Sequence, residues 1–175
     1  MTFAISVRTA GPADLAAVDA LLARSYPVLL AADYEPSTMV LAVPIIARAR
    51  PELLSSGRYY LALDDKGRLL GAGGWSTAAP GPSDQPQGQA GPHQTGHVRH
   101  VATDPNALRL GVGRAILQAV FDAAIAAGVT QMHCMSTRTA EKFYASMGFR
   151  KVGLVEVPLR PGIAFPAVQM VRDLA

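Results

Sequence analysis

Residues 98–127 read VRHVATDPNALRLGVGRAILQAVFDAAIAA, a predicted strand followed by a Gly-rich turn and a long apolar helix. The start of a helix leaves backbone N–H groups without partners and carries about half a positive charge, so phosphate oxygens bind there readily. Gly111 and Gly113 lack the Cβ atoms that would keep a pyrophosphate away from those amides, while Arg109 and Arg114 add fixed positive charge. The segment therefore predicts a binding site for a phosphorylated ligand.

The composition of the chain indicates one compact domain over residues 1–175. Half of its 175 residues are hydrophobic and 17% are charged, which is enough to bury a substantial core. The single cysteine, Cys134, excludes an internal disulfide framework and is typical of a reducing compartment. The N-terminus lacks a signal-peptide pattern, and no apolar stretch is long enough to cross a bilayer. We therefore expect a cytoplasmic protein that does not bind membranes.

The charge of the chain points away from nucleic acid as a partner. The formal net charge is +3 and the pI is about 9.3, but the basic residues are spread along the sequence rather than clustered. One local excess lies between His97 and Arg114, where three arginines and two histidines accompany a single acid, Asp104. That pattern suits a small anionic ligand better than a duplex.

Hydrophobic periodicity predicts the element order β-α-α-β-β-β-α-β-α-β-β, with no internal repeat. The first predicted helix begins at 11–14, and a second covers 36–54 with an interruption near Pro44. A third runs from the Gly-rich turn to residue 127, and a fourth covers 140–147. The predicted strands are 5–8, 58–63, 68–75, 96–103, 129–136, 150–157 and 167–174. This order predicts an α/β fold class of the mixed α+β kind, in which helices flank a mixed sheet.

A Pro- and Gly-rich stretch separates the third and fourth predicted strands. Between Pro80 and Pro92 there are four prolines and three glycines among thirteen residues, and no large apolar side chain. Such a segment cannot pack against a core. We expect a flexible loop at 78–95 that is an insertion in the single domain rather than a boundary between two.

Two common phosphate-binding motifs are excluded. A dinucleotide-binding fold needs a third glycine where Ile116 stands, and it places the motif in the first βα unit rather than past the middle of the chain. A P-loop needs Lys followed by Ser or Thr after its glycines, but Arg114 and Ala115 follow Gly113. The Gly-rich turn therefore belongs to neither class.

A second motif lies downstream, where residues 144–149 read YASMGF after TDP at 103–105 and LRLGVG at 108–113. In these motifs and their order the chain resembles the GNAT superfamily of acyl-CoA-dependent N-acyltransferases. That family has a strand ending in V-x-P, then Q/R-x-x-G-x-G/A opening a helix, then x-Y-x-x-x-G-F on a later helix. The resemblance extends over most of the chain and implies a GNAT-like central sheet, mixed and mostly antiparallel, flanked by helices. Two departures from the family pattern matter for the site: Leu108 replaces the usual Gln or Arg, and Thr137 replaces an Asn.

The resemblance also implies a site, with acetyl-CoA as co-substrate and without a metal. Backbone groups of Val101, Ala102 and Thr103 would pair with the pantetheine amides as an added strand does. Tyr144 would donate a hydrogen bond to the leaving sulfur after an amine has attacked the thioester. The pyrophosphate would be held by the turn, through Arg109, Leu110, Gly111, Val112, Gly113 and Arg114.

The general base that would accept the proton of the amine stays open. The central strand carries no Glu, so the candidates are His100, His97 or a water chain. The odd spacing of the two histidines directs them to opposite faces of the strand, so at most one of them faces the substrate. Cys134 and its neighbour His133 also point apart on a strand, and we interpret Cys134 as a buried small apolar residue rather than a nucleophile.

The function that the resemblance implies is an acetyl-CoA-dependent N-acetyltransferase that acts by direct attack in a ternary complex. The acceptor would be an amine of a small molecule or peptide, and its identity is not evident from the sequence. The alternative is a catalytically inactive acyl-CoA-binding sensor or partner module. Tyr144 favours the enzyme, whereas Leu108 and the missing Glu favour the module. Homodimer formation is left open.

Overall fold

The computed structural model describes residues 4–77 and 94–174. Within them the chain forms seven strands, six α-helices and two short 3₁₀ helices, Pro12–Asp14 and Pro105–Ala107. The strands are β1 (Ser6–Thr9), β2 (Tyr59–Leu63), β3 (Leu69–Ser76), β4 (Gln94–Thr103), β5 (Val129–Ser136), β6 (Arg150–Arg160) and β7 (Ile163–Asp173). The helices are α1 (Leu15–Leu30), α2 (Pro36–Leu41), α3 (Val43–Ile46), α4 (Pro51–Leu54), α5 (Val112–Ala126) and α6 (Glu141–Ser146).

The seven strands form one sheet in the order β1-β2-β3-β4-β5-β7-β6. Neighbouring strands are antiparallel except for β4 and β5, which are parallel. The predicted hairpin between β2 and β3 is present. Oδ1 of Asp64 stabilises its turn by accepting hydrogen bonds from the N–H groups of Lys66 at 2.9 Å and Arg68 at 2.8 Å. The expected fold class, a mixed and mostly antiparallel sheet flanked by helices, is therefore confirmed.

The two long helices, α1 and α5, cover opposite faces of the sheet. The side chain of Leu61 in β2 packs with apolar residues of α1, whereas that of its neighbour Ala62 packs with apolar residues of α5. Successive side chains of a strand point to opposite faces of the sheet, so the two helices lie on opposite faces. Helix α5 lies very close to β3, since a Cβ on Gly71 would be 2.5 Å from Cγ1 of Val112. The glycines of β3 therefore let α5 pack directly on the strand. No helix in the described ranges is long and apolar enough to span a membrane.

Some predicted boundaries are wrong. The single helix predicted over 36–54 is three short helices, α2, α3 and α4, each with a proline in its first turn. Proline lacks the N–H group that a continuing helix needs, so each proline starts a new helix instead of extending the last. Strands β6 and β7 are longer than predicted, and the expected loop between them is reduced to a tight turn at Pro161 and Gly162.

The predicted loop at 78–95 can be compared with the structure only at its end. Gln94 and Thr95 belong to β4, so that strand begins before the predicted residue 96 and the predicted loop boundary is wrong there. The remainder of the predicted loop, 78–93, lies outside the described residues.

Replacing Gly71 by alanine is expected to destabilise the fold by about 1–3 kcal/mol, a cost typical of overpacking in a core. The new Cβ would be 2.5 Å from Val112 Cγ1 and 2.9 Å from the carbonyl oxygen of Ala102. Chemical denaturation of both proteins measures the difference in free energy of unfolding. Gly153→Ala in β6 is the matched control, because no atom lies within 4 Å of its added Cβ. Equal losses in the two variants would contradict this account of α5 packing.

Candidate active site

Strands β4 and β5 separate part-way along their length. Their parallel pairing ends at His97 and His133, beyond which β4 stays beside β3 and β5 beside β7. Close to this point β4 contains a bulge, because His100 and Val101 together lie opposite Gly73, and His100 has a φ of 47°. A bulge bends its strand and increases the local twist. β4 therefore diverges from β5, and a gap opens in the middle of the sheet.

Two cavities meet at this gap. The first has a volume of about 750 Å³ and the second a volume of about 400 Å³. Both values lie in the range of small-molecule sites. The lining residues that the two cavities share are Tyr26, Val98, His100, Met135 and Thr137. Molecules bound on the two sides would therefore approach each other at the gap.

The first cavity brings together segments that are far apart in the sequence. The end of β4, the Gly-rich turn at the start of α5, and helix α6 all contribute to its wall. Leu110 is the one predicted site residue that does not line the cavity, and its side chain is exposed. The predicted residues that do line it are Val101, Ala102, Thr103, Arg109, Gly111, Val112, Gly113, Arg114 and Tyr144.

The Gly-rich turn presents positive charge to this cavity. Gly111 precedes α5 with a φ of 85°, a left-handed conformation that glycine adopts without steric cost. The first N–H groups of α5 have no acceptor within the helix. Arg109 and Arg114 are exposed, and neither forms an ion pair with a carboxylate in the described part of the chain. The turn can therefore bind an anion through both main-chain and side-chain donors.

Gly113 also lies directly against α6. A Cβ on residue 113 would lie 2.8 Å from Cζ of Phe143, so the ring of Phe143 occupies the space beside this glycine. Phe143 immediately precedes Tyr144 in α6, and both residues line the first cavity. The small size of Gly113 therefore allows α6 to pack against the start of α5.

The main chain of β4 presents alternate residues to the gap. The N–H of Asp104 donates to the carbonyl of Leu70 in β3 at 2.8 Å. In an antiparallel ladder, hydrogen-bonded residues recur at every second position, so the main chain of Ala102 also bonds to β3. The backbone groups of Val101 and Thr103 face the other way. Of the three residues predicted to pair with pantetheine, these two have main-chain groups on the open side of β4.

Two side chains of α1 complete this edge of β4, and the sequence analysis missed both. Tyr26 Oη donates to the carbonyl of Val101 at 3.1 Å, and Ser25 Oγ donates to the carbonyl of Thr103 at 2.7 Å. Each carbonyl oxygen can accept a second hydrogen bond. Ser25 is fully buried on the same face of α1 as Leu21 and Leu22. A polar residue at helical spacing from apolar ones is a pattern in the sequence that could have indicated this role.

Tyr144 is positioned as a hydrogen-bond donor. Burial raises the pKa of Tyr144 well above its ordinary value of 10.0, and the neighbouring Cys134 and Tyr26 raise it further. The phenol is therefore protonated at neutral pH. Burial raises the pKa of the neighbouring Cys134 thiol to about 12. A thiol with this pKa remains protonated at neutral pH, which argues against Cys134 as a nucleophile.

The structure distinguishes the two histidines proposed as bases. His100 lines both cavities at the gap, whereas His97 lines neither. Burial, together with the nearby His133 and Arg99, lowers the pKa of His97 to about 4. The rings of His97 and His133 lie 5.5 Å apart. A base with so low a pKa is a poor acceptor for the proton of an ammonium group, so the geometry favours His100.

Thr137, which departs from the family pattern, has a structural role. Its Oγ1 accepts a hydrogen bond from the N–H of Ala140 at 3.1 Å, and Ala140 is the residue before α6. The residue therefore stabilises the turn that leads into α6. It also lines both cavities beside the gap.

Comparisons with known proteins identify the fold and the family. The family profile described as an acetyltransferase (GNAT) domain matches residues 33–170. A GCN5-related N-acetyltransferase from Rhodopseudomonas palustris superposes with a TM-score of 0.76 at 19% identity, over 99% of this chain and 98% of that one. The PaiA N-acetyltransferase from Thermoplasma acidophilum, solved with coenzyme A, gives 0.71 at 13% identity, over 97% and 99% of the two chains.

A third similar structure is the ribosomal-protein-S18-alanine N-acetyltransferase from Escherichia coli, with a TM-score of 0.64 at 15% identity, over 98% of this chain and 95% of that one. No curated protein sequence matches the chain significantly. At these identities the structural neighbours show a common fold, while the family profile covers most of the chain. The protein therefore belongs to the GNAT acetyltransferase family.

Proposed function

We propose that the protein is an acetyl-CoA-dependent N-acetyltransferase that transfers the acetyl group directly to an amine of a small molecule or peptide. The observation that carries this proposal is the meeting of two cavities at the gap between β4 and β5. A donor in the first cavity and an acceptor in the second would bring thioester and amine together in a ternary complex. Bringing the reactants together in this way supplies much of the rate enhancement.

The first cavity fits the donor. The start of α5, with Arg109 and Arg114, would bind the pyrophosphate. The open side of β4 at Val101 and Thr103 would pair with the amides of the pantetheine arm, as an added strand does. The PaiA enzyme, which has the same fold, was solved in complex with coenzyme A, which supports coenzyme A as the ligand class.

Tyr144 would act on the leaving group. Attack of the amine on the thioester carbon forms an oxyanion, whose collapse breaks the C–S bond and expels the thiolate. Complete proton transfer from a phenol to a thiolate is uphill by about 2 kcal/mol at ordinary pKa values, and burial of Tyr144 increases that cost. Tyr144 therefore contributes a hydrogen bond that strengthens as negative charge develops on the sulfur.

The amine must be neutral when it attacks. Deprotonating an alkylammonium group at pH 7 costs about 4–5 kcal/mol. His100 at the junction of the cavities is the side chain that we assign to accept this proton, directly or through a water molecule.

Release of free thiol tests the proposed function. Acetyl-CoA is incubated with the protein and a panel of amino acids, aminoglycosides, polyamines and peptides, and the coenzyme A thiol is quantified. Calorimetric titration with acetyl-CoA measures binding separately. Amine-dependent thiol release supports the enzyme, whereas binding of acetyl-CoA without release for any amine supports a non-catalytic acyl-CoA-binding module instead.

The variant Tyr144→Phe is expected to lower kcat about ten- to a hundredfold with little change in affinity for acetyl-CoA, because it removes a contact made in the transition state. Thiol-release kinetics and calorimetric titration measure the two quantities. Tyr60→Phe is the matched control, since Tyr60 is buried in the same core cluster but lines neither cavity. An unchanged kcat in Tyr144→Phe would remove this residue from the mechanism.

The variant Arg114→Glu is expected to raise the KM for acetyl-CoA about tenfold or more, because a charge-assisted contact to phosphate is lost and replaced by repulsion. Arg114 is exposed, so the fold should tolerate the change. Lys66→Glu makes the same charge reversal in the exposed β2–β3 turn and should leave this KM unchanged. Equal effects in the two variants would indicate long-range electrostatics rather than a phosphate contact at Arg114.

A further inference from the structure

We propose that the second cavity selects acceptors that carry a carboxylate as well as the reacting amine, together with an apolar side chain. This proposal rests on the proposed function, because it names the substrate class for the same site. It is carried by the charge, the rigidity and the apolar wall of the cavity of about 400 Å³ on the acceptor side of the gap.

Among the described residues, the charged side chains that line this cavity are all basic. Arg48, Arg50 and Arg99 line it, with His100 at the gap. No Asp or Glu of the described residues belongs to its lining. A guanidinium group binds a carboxylate through two parallel hydrogen bonds, which gives orientation as well as attraction. An anionic group on the acceptor would therefore be bound here, while its amine points toward the gap.

Hydrogen bonds fix the Arg99 side chain and the main chain between Arg48 and Arg50. Arg99 in β4 is only 4% exposed, and its Nη1 donates to Ser76 Oγ at 3.0 Å. Arg48 and Arg50 flank Ala49, whose N–H donates to Oδ1 of Asp19 in α1 at 2.8 Å. The carboxylate of Asp19 holds the main chain between the two arginines and is not part of the cavity lining. This pre-organisation lowers the entropy cost of binding an anion.

An apolar wall forms another part of the cavity lining. Phe165 is 5% exposed and stacks on Tyr34 at a centroid distance of 4.8 Å, so its ring has a defined position. Tyr34 is itself held by donating to the carbonyl of Pro166 at 2.9 Å. The other apolar side chains that line this wall are Ile45, Ile46, Val157, Leu159 and Ala167. Such a wall favours an apolar group on the acceptor.

The same features disfavour polycationic acceptors. A polyamine needs carboxylates to bind the ammonium groups that do not react, and the described lining contains none. The arginines would also repel those ammonium groups. An aminoglycoside also carries several ammonium groups, so it is disfavoured for the same reason. A small amine with a carboxylate and an apolar side chain fits both walls.

Matched sets of acceptors test the proposal. Leucine, leucinamide and 3-methylbutylamine share an apolar chain and an amine, but only leucine carries a carboxylate; phenylalanine, its amide and 2-phenylethylamine form a second set. Thiol release at saturating acetyl-CoA measures kcat/KM for each. Calorimetric titration in the presence of coenzyme A measures binding without turnover. We expect the carboxylate-bearing member of at least one set to be preferred by about tenfold or more in either measurement.

Variants connect this preference to the arginines. Arg48→Ala, in which an exposed side chain is removed, is expected to reduce the preference for the carboxylate by about tenfold and to leave the KM for acetyl-CoA unchanged. Arg48→Lys should restore part of the preference, because it keeps the charge but loses the two-pronged contact. Lys66→Ala, far from the cavity lining, is the control for a general loss of positive charge.

The outcomes separate this proposal from the proposed function. Carboxylate-dependent binding that weakens in Arg48→Ala, without thiol release, would support the acceptor site and contradict the transferase. Thiol release with equal or higher kcat/KM for the amides, the simple amines or spermidine would support the transferase and overturn the carboxylate site. Absence of both binding and release for every carboxylate-bearing acceptor would also overturn it.

Discussion

The separation of β4 from β5 is the constraint on which the site depends. Two parallel strands would ordinarily continue their hydrogen bonds to the end of the shorter one, and the centre of the sheet would then be closed. Here the pairing stops at His97 and His133, and the bulge at His100 carries β4 away. Beyond this point the main chains of the two strands no longer hydrogen-bond to each other. Residues of β4 and of the end of β5 line the two cavities instead.

The two sides of the gap are built by different physical means. The first cavity is lined in part by the end of β4 and by the Gly-rich turn, where Gly111 adopts a left-handed conformation. The second cavity is lined by long side chains, among them three arginines and several apolar residues. Under the proposed function, the donor would be recognised largely through the main chain and the acceptor through side chains.

Most elements that line the first cavity could be predicted because their signals are local. The strand, the Gly-rich turn and α5 are contiguous in 98–127, and the YASMGF motif lies within a single short helix and its end. The lining of the second cavity could not be predicted. Arg48 and Arg99 are distant in sequence and meet only through the packing of the segment before α4 beside the sheet. The role of Tyr26 likewise depends on where α1 crosses β4, which no local pattern specifies.

The contact between Phe143 and Gly113 links the Gly-rich turn at the start of α5 to α6, the helix that carries Tyr144. Phe143 and Tyr144 are adjacent in α6, a helix of six residues. The ring of Phe143 lies against Gly113 at the start of α5, while Tyr144 lines the first cavity. A larger side chain at residue 113 would contact the ring next to Tyr144, so the size of this residue bears on the placement of the phenol as well as on the turn.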